Sequence, residues 1–64
     1  MEFSDKLKMF RKEARLSQKD VAVEIGCSQS IISEYELGRK KPTYDVLVAL
    51  KLIIKKYKVK MNLL

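Results

Sequence analysis

Gln29, Ser30, Ser33 and Glu34 are the residues of this 64-residue chain best suited to chemistry, and that chemistry is hydrogen bonding. At helical spacing they share the side opposite Ile32 and Tyr35. A glutamine amide donates and accepts at once, which is the pairing adenine N6 and N7 offer in a DNA major groove. Glu34 can accept from a cytosine amino group, or it can repel phosphate and reject wrong registers. Ile31 stands beside them, placed either to touch a thymine methyl or to pack on the preceding helix. Catalysis has no comparable set. The chain has no His, no nucleophile–base pair and no Gly-rich phosphate loop, so it reads as non-enzymatic. The single Cys27 forms no intrachain disulfide and, without His, no conventional zinc site. It suits core filling instead. No metal and no cofactor is implied.

The elements that must position these side chains run from Gln18 to Leu37, QKDVAVEIGCSQSIISEYEL. Ser17 can N-cap a first helix, with Asp20 three residues on as a capping-box partner. Val21, Ala22 and Ile25 give that helix a narrow apolar face. Gly26 follows where a helix C-terminus favours a residue tolerant of positive φ. Ser28 then caps a second helix that turns Ile32 and Tyr35 inward. Small Ala22 permits a close crossing of the two. Two short helices over a tight turn make a helix-turn-helix at residues 18–37, the second helix being free to enter a major groove.

Charge is distributed unevenly. Residues 1–37 hold six Lys or Arg against seven Asp or Glu, whereas residues 38–64 hold eight against one. A basic half favours a polyanion partner through counterion release, while the plainer reading is a solvated lysine face that maintains solubility. The stretch Ser17–Leu37 itself carries a net −3. Affinity for DNA would then have to come from helix-end N–H groups, Gln18, and the Arg39-Lys40-Lys41 loop beyond. Gly38 can turn the chain into that loop, and Pro42 is expected to start the next helix.

The stretch Gln18–Leu37 resembles the helix-turn-helix of the Cro and phage-repressor (lambda-repressor-like, Xre-type) DNA-binding family. Val21, Ala22, Ile25, Gly26, Ile32 and Tyr35 fill its structural positions, and Cys27 takes one usually held by Val or another small apolar residue. RLSQ at Arg15–Gln18 and YELGRKKPT at Tyr35–Thr43 resemble the flanks, and the similarity covers roughly Leu7 to Leu50. The resemblance implies that Gln29 and Ser30 lie nearest the base edges, with Ser33 and Glu34 one turn later. It implies phosphate contacts from Gln18 and from Arg39, Lys40 and Lys41, with Gln18 also bracing the first residue of the recognition helix; Lys19 and Ser28 are expected to add further phosphate contacts. Without the resemblance, Gln18 is an ordinary polar helix start. It further implies an Arg11–Glu36 ion pair that is structural rather than base-reading.

Ser4 is the expected N-cap of a helix carrying Leu7, Phe10 and Ala14 to about Arg15, after which Leu16 bridges into the core. A further helix is expected over Thr43 to about Lys56, with Tyr44, Leu47, Leu50, Ile54 and Tyr57 as its apolar stripe. Val48 and Leu52 fall on another face, as a dimer seam or as a surface covered by the tail. The tail KVKMNLL resembles the family's short fifth helix or turn, arriving about one turn late, and Leu63-Leu64 is expected to be buried or to mark truncation from a longer chain.

The expectation is therefore a single all-α domain over residues 1–64, lambda-repressor-like, with four to five helices. No apolar run approaches the ~18–20 residues needed to span a membrane, and MEFSDKLK lacks a signal-peptide core. The expected function is sequence-specific double-stranded DNA binding as a repressor/Cro-type regulator, as a homodimer on paired half-sites, in the cytoplasm at the nucleoid. The rival expectation is a protein-interaction module on the same fold with weak or no DNA binding.

Overall fold

The computed structural model describes residues 2–61 and contains four helices: α1 (Phe3–Glu13), α2 (Gln18–Ile25), α3 (Gln29–Glu36) and α4 (Tyr44–Lys56). No strand occurs among the described residues, so the all-α expectation holds. Leu7 and Phe10 of α1, Val21 and Ala22 of α2, Ile32 and Tyr35 of α3, and Leu50, Ile53 and Ile54 of α4 form one buried cluster. Phe3 meets the Tyr35 ring edge-on at 5.9 Å, and Phe10 meets Tyr57 in the same manner at 6.4 Å. These contacts set α1 against α3 and against the end of α4. No described helix is long and apolar enough to cross a membrane.

Helix starts follow the local chemistry, with two departures from expectation. Ser4 lies inside α1; Glu2 is the N-cap and makes no side-chain capping bond. Likewise Pro42 precedes α4 without starting it, because Thr43 is the N-cap and its Oγ1 accepts from the Val46 N–H at 3.3 Å. An N-cap side chain replaces a missing intrahelical partner, which proline cannot do.

All four helices close with a left-handed turn. Leu16 N–H donates to Arg11 O, Cys27 N–H to Ala22 O, Arg39 N–H to Glu34 O and Val59 N–H to Ile54 O, each bond spanning five residues. The left-handed residue is Gly26 (φ 87°) after α2 and Gly38 (φ 75°) after α3, but Arg15 (φ 58°) after α1 and Lys58 (φ 56°) after α4. This is why α1 stops at Glu13 and not at Arg15. A side chain with a Cβ pays about 1–2 kcal/mol in that conformation, of which glycine recovers part. Arg15→Gly is therefore expected to stabilise the fold by roughly 0.5–1 kcal/mol and raise the melting temperature by several degrees. An unchanged or lowered melting temperature would contradict the assignment.

The inward face of α4 differs from the expected stripe. Leu50, Ile53 and Ile54 are buried, with Val46 and Tyr57 packed against them, whereas Tyr44 is 78 % exposed. At 100° per residue Tyr44 lies roughly 120° from Leu50, outside the buried arc. Val48 and Leu52 lie on the far side as expected, 39 % and 64 % exposed, and Tyr44 joins them in one outward stripe. After α4 the chain turns and lays Val59 and Met61 against the core, with no fifth helix among the described residues. The burial expected of Leu63-Leu64 falls outside them.

Candidate nucleic-acid interface

The turn between α2 and α3 is built by two caps and one glycine. At the start of α2 the Asp20 N–H donates to Ser17 Oγ and the Ser17 N–H donates to Asp20 Oδ2, both at 3.0 Å, completing the capping box. The Ser17 N–H holds the Asp20 carboxyl below its ordinary range, and the Ser17 hydroxyl adds to the effect. First-turn N–H groups of a helix have no intrahelical acceptor and favour anions, so α2 presents the amides of Gln18 and Lys19 at its mouth. Gly26 closes α2 at φ 87°. Cys27 is half-buried against the core, and burial pushes its thiol above the usual range, which fits the filler role. Ser28 Oγ accepts from the Ile31 N–H at 3.3 Å, which leaves the hydroxyl proton free to donate outward.

Gln18, Gln29, Ser30, Ser33 and Glu34 line one open depression of about 360 Å³. Gln29 and Ser30 are exposed; Ser33 and Glu34 are half-buried at its margin. The structure thus brings all four expected base readers together with one expected phosphate contact. Ile31 is partly buried against the core, which favours the packing alternative over contact with a thymine methyl. Lys19, Ser28, Arg39, Lys40 and Lys41 are all exposed. Lys40 and Lys41 stand apart from the depression, bordering a smaller recess of about 120 Å³ with Phe3, Ser4 and Pro42 at the start of α1.

Behind the depression Glu36 is 5 % exposed. Its Oε2 accepts from Arg11 Nε at 2.6 Å, and its Oε1 accepts from the second guanidinium arm and from Gln18 Nε2, each at 3.2 Å. Arg11 also donates to Leu16 O at 3.3 Å. The ion pair is thus present and bidentate. The Gln18 amide braces Glu36, at the end of α3, instead of the first residue of that helix, Gln29.

A second polar cluster had no counterpart in the sequence reading. Glu24 of α2 accepts from the Tyr57 hydroxyl at 2.6 Å and from Lys56 Nζ at 2.9 Å, tying α2 to the end of α4. The Tyr57 hydrogen bond, then Lys56, holds the Glu24 carboxyl below its ordinary value of 4.5. The same bond to Glu24 raises the Tyr57 phenol above 10.0. A depressed carboxyl contributes stability that is present above its ordinary value and lost as pH falls through the folded one. A raised phenol contributes below its ordinary value and loses it as pH rises further. Glu24→Gln is accordingly expected to lower the melting temperature slightly at neutral pH and to flatten its fall below about pH 4.5. Parallel acid melting curves for the variant and the unaltered chain would contradict this.

A helix-turn-helix family model matches residues 7–63. The chain is similar to an uncharacterised HTH-type transcriptional regulator of Bacillus subtilis (strain 168), YqaE, at 37 % identity over 46 residues. The match covers 72 % of this chain but 40 % of that relative, so the chain spans less than half of the relative's length. No solved structure matches. With the capped turn, the buried Ala22 and the matched span in agreement, the chain belongs to the lambda-repressor-like, Cro/Xre-type helix-turn-helix family.

Proposed function

We propose that the chain binds double-stranded DNA in a sequence-specific manner, as a non-enzymatic transcriptional regulator of the repressor/Cro type. The observation that carries this is the shared depression, in which Gln29, Ser30, Ser33 and Glu34 face outward beside the mouth of α2. In this reading α3 enters the major groove and Gln29 and Ser30 approach base edges. Gln18, Lys19 and Ser28 hold phosphate from one side; Arg39, Lys40 and Lys41 hold it from the other. The two sets of contacts carry different information, since phosphates position and bases specify. The site of action is the cytoplasm, at the nucleoid. Selection of bound duplexes from a random pool tests the reading: a recurring motif supports it, and enrichment of no sequence contradicts it.

Paired half-sites would require two copies. We infer that self-association uses the outward stripe of α4, because Val48 and Leu52 are otherwise left in water. Val48→Asp together with Leu52→Asp should shift a dimer to monomer in sedimentation while leaving the helical signal unchanged. Association that survives both changes places the seam elsewhere. The second functional reading, a protein-interaction module, draws on the same stripe and on the −3 charge of Ser17–Leu37. Absence of duplex binding even at low salt would select it.

A further inference from the structure

We infer that Glu36, which lies behind the interface and reaches no DNA in the reading above, is a positioning residue for duplex binding through Gln18; the inference rests on that reading. The bidentate Arg11 guanidinium fixes the plane of the Glu36 carboxylate from α1. Oε1 is thereby held at a set point when the Gln18 amide reaches it at 3.2 Å from the first position of α2. A carboxylate can only accept, so it dictates which end of the amide turns inward. One N–H of Gln18 is committed to Glu36. The second N–H and the carbonyl are left for the depression shared with Gln29 and Ser30.

Two further features make Glu36 suited to this task. Its charge is compensated at contact distance by Arg11 and buried, so the anchor does not repel an approaching phosphate. Its tie also removes rotamer freedom from Gln18 before DNA arrives, so that cost is not met on binding. One buried carboxylate thus links the α1–α3 packing to the orientation of a DNA-facing amide on α2. Glu36→Gln breaks this logic, because its amide can face Gln18 with a donor and permit the Gln18 side chain to invert.

The hold is testable in the free protein by ¹⁵N relaxation of side-chain amides. The Gln18 amide should be ordered nearly like backbone, with an order parameter approaching ~0.85, and that of exposed Gln29 should fall below ~0.6. Equal mobility of the two overturns the inference whether or not any variant folds. Binding of a random-sequence duplex at several salt concentrations is then compared for Gln18→Ala, Glu36→Gln and the double variant, below their melting temperatures. Each single change should weaken binding by about tenfold, the scale of one hydrogen bond to a charged group, and the double change should weaken it no further. Losses that multiply, with the unaltered chain binding normally, overturn the positioning role alone. No binding by the unaltered chain overturns the DNA-binding reading and the positioning role with it.

Discussion

Arg11→Met is expected to destabilise the fold by about 3–5 kcal/mol, because it strips the partner from a buried carboxylate. Glu36 is 5 % exposed and takes two of its three hydrogen bonds from Arg11. Total stability for a domain of this size lies towards the low end of ~5–15 kcal/mol, so the loss should leave a large unfolded fraction. Chemical denaturation followed by circular dichroism measures it. Glu36→Gln should cost less, since its carbonyl still accepts from Arg11. Glu34→Gln, at the margin of the open depression, should cost almost nothing. Replacing both partners with apolar residues, Arg11→Met with Glu36→Leu, should recover most of the loss, because no charge is then stranded. Equal, small effects of Arg11→Met and Glu34→Gln would remove the structural role of the pair.

The next largest effect is expected in recognition. Gln29→Ala should weaken binding to a selected duplex by ~1–3 kcal/mol while its affinity for scrambled duplex barely moves. Lys40→Ala should weaken both alike and lower the salt slope by about one unit. The contrast follows from position: Gln29 lies in the depression on α3, and Lys40 lies in the loop beside the start of α1. A salt titration of each variant on both duplexes separates them. Equal loss on both duplexes for Gln29→Ala would mean that α3 is turned the other way.

What could be read from the sequence, and what could not, divides by the range of the interaction. Ser17, Asp20, Gly26 and Ser28 act on their own neighbours within four residues, and each cap or turn they foretold is present. The Arg11–Glu36 pair spans 25 residues, and only the family resemblance made it legible. Nothing local marks Glu24 as the acceptor for Lys56 and Tyr57, more than thirty residues away, so that cluster went unseen. Tyr44 is aromatic, but counted at 100° per residue it belongs with Val48 and Leu52, outside the buried arc. Ile53, absent from the expected stripe, has the phase of that arc and is buried beside Ile54.

Backbone amide chemical-shift mapping during titration with a selected duplex tests most directly whether α3 reads DNA. The predicted result is a set of perturbed amides confined to the start of α2, the exposed side of α3 from Ser28 to Glu34, and residues 39–41. Over the same titration Val48, Leu52 and the rest of the outward face of α4 should respond only as far as dimer contacts change. Perturbations centred on α4, with Gln29 and Ser30 unmoved at saturation, would contradict the account.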